Sequence, residues 1–310
     1  MLKIIVLGAA AGGGYPQWNC NCDVCRAARA GASGVAMATQ SSLAVSADGE
    51  AWFLLNASPD MRQQINQTPA LHPRNGRRHS PIAGVVLTNA DVDHVAGLLT
   101  LRESQPLSLY ATRRVLGVLA ANSVFNVLNP EYVKRRPASL GATTELLLPD
   151  GRPSGLAAEL FAVPGKVALY LEDESAGPDF GSVAEDTVGV RIAVPAEGRE
   201  FYYIPGCAAC PPELAERLDN SALLFFDGTT WIDDEMRATG VGRKTGRRMG
   251  HLCMSGPEGS IAALSPLDIR RKIFIHINNT NPVHLRDSPE RAAAEAAGWE
   301  IGYDGMEVEA

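Results

Sequence analysis

Thr88-Asn89-Ala90-Asp91-Val92-Asp93-His94-Val95-Ala96-Gly97 is the stretch on which the reading of this chain turns. It follows an apolar, β-rich run at 82–87 and leads into an apolar helix start, the pattern of a strand-to-helix loop. Asp91, Asp93 and His94 place three potential ligands within four positions, and a turn can aim such side chains at one cation. The same residues also suit a helix N-terminus, with Asp91 or Asp93 accepting backbone N–H groups and His94 packing beside them. Local chemistry leaves both readings open.

Working outward, short apolar runs of strand length recur at 4–7, 42–45, 52–55, 82–87, 107–110, 160–163, 167–171, 188–194, 201–204, 223–226 and 272–277. Helical patterns fall at 97–101, 114–127, 212–218, 260–264 and 289–297. The mixture predicts layered α/β structure. With no long low-complexity linker and no repeat of 20–50 residues, residues 1–310 read as one domain.

The chain has 28 Lys and Arg against 35 Asp and Glu, a net charge of −7, which argues against a non-specific nucleic-acid binder. No apolar run approaches the roughly 18–20 residues of a membrane-spanning helix. The first ten residues imitate a signal peptide, but their β-branched run into glycines fits a buried first strand better, so a cytoplasmic protein is expected.

Cys20, Cys22 and Cys25 form a C-x-C-x2-C cluster whose thiolates can share one tetrahedral Zn²⁺; free, redox-active thiols are the alternative. The glycine run at 8–14 lacks the G-x-G-x-x-G spacing and the G-K-[ST] ending of nucleotide loops, and reads as close backbone approach. Lys166, Lys244, Arg247 and Arg248 could pair the carboxylates of an acidic substrate, although charge runs usually form a solvated face.

The 88–97 segment resembles the metallo-β-lactamase superfamily signature T-H-x-H-x-D-H-x-x-G, keeping Thr88, Asp93, His94 and Gly97 but carrying Asn89 and Asp91 in place of the two leading histidines. With Gly12 to Cys22, Gly250 to Gly256 and Phe274 to Pro282, the whole chain resembles the branch of that superfamily that serves pyrroloquinoline quinone (PQQ) biosynthesis, the B family. The resemblance implies a four-layer αββα sandwich with a metal site at one edge of its two sheets.

It also implies that the usual third-motif histidine and bridging aspartate are missing around Gly165 and Gly206. That leaves a single-metal site of Asp91, Asp93, His94 and His276, a ligand set suited to Fe(II). His251 matches a histidine that donates a proton or touches substrate in phosphodiesterase relatives. Asn279 stands where the fourth ligand of the cysteine zinc is expected. Cys207 and Cys210 fall on an active-site loop and are assigned no metal.

The implied activity is hydroxylation of the tyrosine ring of a small acidic, crosslinked Glu-Tyr precursor by an iron-dependent oxygenase. The alternatives are a soluble carrier of PQQ or its precursor, and a Zn²⁺-dependent hydrolase. A homodimer is the assembly considered, and His72, His79 and His284 are expected at surface or loop positions.

Overall fold

The computed structural model describes residues 2–177 and 179–310. Its strands are β1 (Lys3–Gly8), β2 (Ser42–Ser46), β3 (Trp52–Leu55), β4 (Ile82–Val86), β5 (Leu107–Ala111), β6 (Val133–Pro137), β7 (Thr143–Leu147), β8 (Pro153–Ala162), β9 (Val188–Val194), β10 (Arg199–Ile204), β11 (Leu224–Asp227), β12 (Lys272–Ile275), β13 (Trp299–Ile301) and β14 (Glu307–Glu309). They form two mixed seven-stranded sheets, ordered β14-β1-β2-β3-β4-β5-β6 and β13-β12-β11-β10-β9-β8-β7. Pairing is parallel through β3-β4-β5-β6 and through β10-β11-β12-β13.

Successive side chains on a strand point to opposite faces, and here both faces are covered. Phe225 and Tyr203 join Leu43, Phe53, Val190 and Ile192 in the core between the sheets. Their neighbours Leu224, Phe226, Tyr202 and Ile204 face outward and are covered by Leu214 and Leu218 of the helix Pro212–Leu218, Leu264, and Ala294 of the helix Pro289–Ala296. On the other sheet, Leu54, Val85 and Leu109 meet Met61, Val115 and Leu119, the last two from the helix Arg113–Ala121. This is the expected αββα sandwich, and double coverage explains why the strands read as continuous apolar runs rather than alternating ones.

Three expectations are corrected. Residues 167–171 do not form a strand: the Leu169 N–H donates to the Asp91 carboxylate, and Leu169–Leu171 is a short 3-10 turn with exposed side chains. The helix expected over 114–127 stops at Ala121, where Asn122 turns extended and its side chain caps the Val118 carbonyl; a 3-10 turn follows at Ser123–Val127. His284 is buried rather than superficial, stacked on Tyr15 with ring centroids 3.9 Å apart. Among the described residues no helix is long and apolar enough to cross a membrane.

Candidate metal centre

Loops leaving the carboxyl ends of β4, β10, β11 and β12 converge at one end of the sandwich. The β4 loop supplies Asp93 and His94, β11 ends on Asp227, and His276 follows the last residue of β12. The donor atoms of Asp93, His94 and His276 lie within 4.8 Å of one another, and so do those of Asp227, His251 and His276. Asp93 Oδ2 stands 3.1 Å from His276 Nε2 and 3.8 Å from His94 Nε2. Gly12 closes the other side: a Cβ there would lie 3.2 Å from Asp93 Oδ2, which is the close approach read from the glycine run.

The imidazoles are oriented through their Nδ1 atoms. His94 Nδ1 lies 2.8 Å from Asn89 Oδ1 and therefore donates to it, which leaves Nε2 as the lone-pair nitrogen. That Nε2 is buried with no hydrogen-bond partner, and burial holds the ring down to about 4, so it is a neutral donor at neutral pH. Asn89, at the position of a signature histidine, thus serves as the support of the remaining one.

His276 Nδ1 lies 2.9 Å from Thr229 Oγ1. Burial works against protonation of His276, but the hydrogen bond and charge of Asp93 outweigh it and raise the ring above its usual range. His276 adopts left-handed backbone (φ 56°), a conformation costing a non-glycine residue about 1–3 kcal/mol, at the step where the chain leaves β12 for the site.

His251 is delivered by Gly250, whose left-handed backbone (φ 91°) ends the helix Gly246–Met249. Its Nδ1 lies 2.7 Å from Asp227 Oδ2, and its ring stacks on His276 at 5.1 Å. Asp227 is fully buried and saturated: Oδ2 also accepts the Cys207 N–H, while Oδ1 accepts the Thr229 N–H and hydroxyl. A carboxylate with four such bonds positions a histidine more readily than it binds a second cation.

Asp91 stands apart from the two donor groups. It occupies the N-cap position of the helix Val92–Val95 without capping it, and its Oδ1 accepts the Leu169 N–H at 3.0 Å. Burial, then the charge of Asp93, raises its carboxyl. Lys166 is ion-paired to Glu172, Arg247 is exposed and paired to Glu258, and Lys244 is half-exposed.

Asp227, Thr229 and Asn56, whose side chain bonds Thr88, were not singled out from sequence. The signal for the first two is the polar Asp227-Gly228-Thr229 closing an apolar strand.

The sulfurs of Cys20, Cys22 and Cys25 also lie within 4.8 Å of one another. Cys22 caps the helix Asp23–Arg29, and burial, reinforced by the other sulfurs, pushes its thiol up to about 12. A cation is what would let all three be thiolates. Asn279 joins them: its carbonyl lies 3.8 and 3.7 Å from the Cys22 and Cys25 sulfurs, its amide nitrogen 3.3 Å from Cys25, and its side-chain oxygen is buried without a partner.

A sandwich of this topology with a histidine–aspartate cluster at its strand ends defines a metallo-β-lactamase superfamily protein, and residues 51–277 match the beta-lactamase superfamily domain. Within that class the chain belongs to the coenzyme PQQ synthesis protein B family. It is 54% identical over 308 residues to the member from Gluconacetobacter diazotrophicus and 56% identical over 305 residues to that from Methylobacterium nodulans, covering 99% and 98% of this chain and 99% of each relative. The crystal structure of Zn²⁺-bound PqqB from Methylobacterium extorquens is similar with a TM-score of 0.94 and 52% identity, covering 99% of this chain and all of that one.

Proposed function

We propose that the chain acts in PQQ biosynthesis as a mononuclear metal-dependent oxygenase that hydroxylates the phenol ring of a small acidic, tyrosine-derived precursor. The observation that carries this reading is the trio of Asp93, His94 and His276: two imidazoles and one carboxylate, with the His94 lone pair aimed into the site and unpartnered. That donor set suits Fe(II) with positions left for oxygen and substrate. Bound there, the ion would supply the oxygen-activating chemistry: one atom of O₂ would enter the ring and the other leave as water, with two electrons drawn from an external reductant of the ascorbate class. Asp91 is proposed as a further ligand from the adjoining turn, through the oxygen not given to Leu169.

The chain's own residues would handle binding and protons. His251, its Nδ1 tied to Asp227, offers its other nitrogen to the substrate phenol, and the buried carboxylate would stabilise the imidazolium formed when that proton is taken. Basic residues would hold the precursor's carboxylates. The cysteine cluster with Asn279 would hold a structural Zn²⁺, fixing the loop after β1 against the loop after β12.

A Zn²⁺ hydrolase is the second reading, favoured by the Asp227, His251 and His276 donor group and disfavoured by the saturation of Asp227. Anaerobic loading with Fe(II) or Zn²⁺, then addition of precursor, ascorbate and ¹⁸O₂, tests both. Label in the product with iron alone supports the oxygenase; hydrolysis with zinc and no label refutes it.

A further inference from the structure

Beside the donor cluster, one ion-paired carboxylate occupies a place suited to a substrate. Residues 164–177 and 179–187 strap the loop that carries Asp91, Asp93 and His94: the Leu169 N–H donates to Asp91 Oδ1, and the Tyr170 hydroxyl donates to the Ala90 carbonyl at 2.8 Å. Where the strap turns back, Glu172 has a side chain only 7% exposed. It accepts from Lys166 Nζ at 2.8 Å and from both terminal nitrogens of Arg248 at 3.1 and 2.8 Å.

Both cations stand at the turn that carries His251. Arg248 precedes it by three residues, and its guanidinium lies 3.9 Å over the Phe180 ring, also on the strap. The Lys166 stem packs on Gly250, where a Cβ would lie 3.0 Å from Lys166 Cγ. A guanidinium fork facing a carboxylate, completed by an ammonium, is the geometry that recognises carboxylates generally. The Arg248 hydrogen bonds, helped by Lys166, hold the Glu172 carboxyl down to about 2. The contrast is Arg247 on the same helix, which pairs with Glu258 of a later turn and whose side chain and partner are 52% and 76% exposed.

We propose that Lys166 and Arg248 form the carboxylate-recognition site for the substrate, and that Glu172 is a built-in competitor that holds the site and the strap until a substrate carboxylate displaces it. The inference rests on the acidic substrate of the proposed function but not on its oxygen chemistry. A competitor tethered to the chain lowers apparent affinity by the fraction of molecules in which it has let go, so removing its charge must tighten binding even though it deletes a native ion pair.

The test is binding of PQQ itself, as a polycarboxylate probe, to the zinc-loaded protein without oxygen, followed by spectroscopic titration and by limited proteolysis of residues 164–187. Glu172→Gln is expected to bind about tenfold tighter than wild type and Arg248→Gln about tenfold weaker, with PQQ speeding cleavage of the wild-type strap. Should Glu172→Gln fail to fold, Glu172→Asp, which keeps the charge but cannot span both cations, is expected to tighten binding in the same direction. Unchanged or weaker binding in the folded Glu172 variant, or no measurable binding in any of them, overturns the proposal. Tighter binding without oxygen incorporation would keep this site and remove the oxygenase reading; oxygen incorporation with unchanged Glu172→Gln binding would do the reverse.

Discussion

The two donor clusters are built on opposite plans. Three of the four groups in the cysteine cluster come from six consecutive residues, and the cluster closes over itself with Asn279. The histidine cluster gathers groups separated by up to 183 residues, each imidazole steered by a different oxygen: Asn89, Thr229 and Asp227. A closed local cluster suits a structural ion, whereas a long-range cluster whose outer atoms orient the inner ones suits an exchangeable ion with chemistry to perform.

Removing an inner donor should have the largest effect. His94→Ala is expected to abolish metal uptake at the histidine cluster while any metal held by the cysteines and the fold persist, as read by metal analysis and circular dichroism; unchanged metal at that cluster would remove His94 as a ligand. Next comes the pair proposed to handle protons, His251 and Asp227. His251→Ala should spare metal and cut turnover by roughly 10²–10⁴-fold, and normal turnover per bound metal would reduce His251 to packing.

Asn89→Ala sharpens the contrast, because it removes no inner donor, only the oxygen that orients His94 and also accepts the Asp91 N–H. The expected loss is about 10–100-fold in metal affinity, measured by competition with a chelator, and no loss would mean that His94 needs no support. At the other cluster, Cys22→Ser should release one zinc and lower Tm by several degrees with the histidine cluster still loaded, since structural zinc contributes folding free energy. Unaltered zinc and Tm would instead indicate free thiols.

The last effect is small per pH unit and concerns His284. Burial holds this ring down to about 4, against 6.5 in the unfolded chain. It folds as the neutral form, so its contribution is full above about 6.5 and is lost as pH falls toward 4, by at most about 1.4 kcal/mol per unit. His284→Gln should flatten unfolding curves between those pH values, and an unchanged slope would place the titration elsewhere.

The strands legible in the sequence are the inner ones. β6, β7, β13 and β14, which escaped notice, are the four sheet edges. Covered on fewer sides, edge strands are short or charged, as in Val133-Lys134-Arg135-Arg136-Pro137, and carry too little apolar signal. The run at 167–171 failed for the converse reason, being apolar in composition but held by the Asp91 carboxylate instead of a ladder.

By itself the sequence determined layered α/β structure, through its apolar runs, and the cysteine cluster, because its members are chain neighbours; the four-layer sandwich followed from the superfamily resemblance of its motifs. It also marked Asp91, Asp93 and His94 by their spacing, and His251 and His276 through that resemblance, although Asp91 stands outside the donor groups of the structure. Only the tertiary structure decided that Asn89 steers His94, that Asp227 and Thr229 hold two further imidazoles, and that Glu172 fills the fork of Arg248. Those partners come from separate strands and loops, and a hydrogen bond between residues tens or hundreds of positions apart leaves no periodicity in the chain; it exists only once packing has brought the strand ends together.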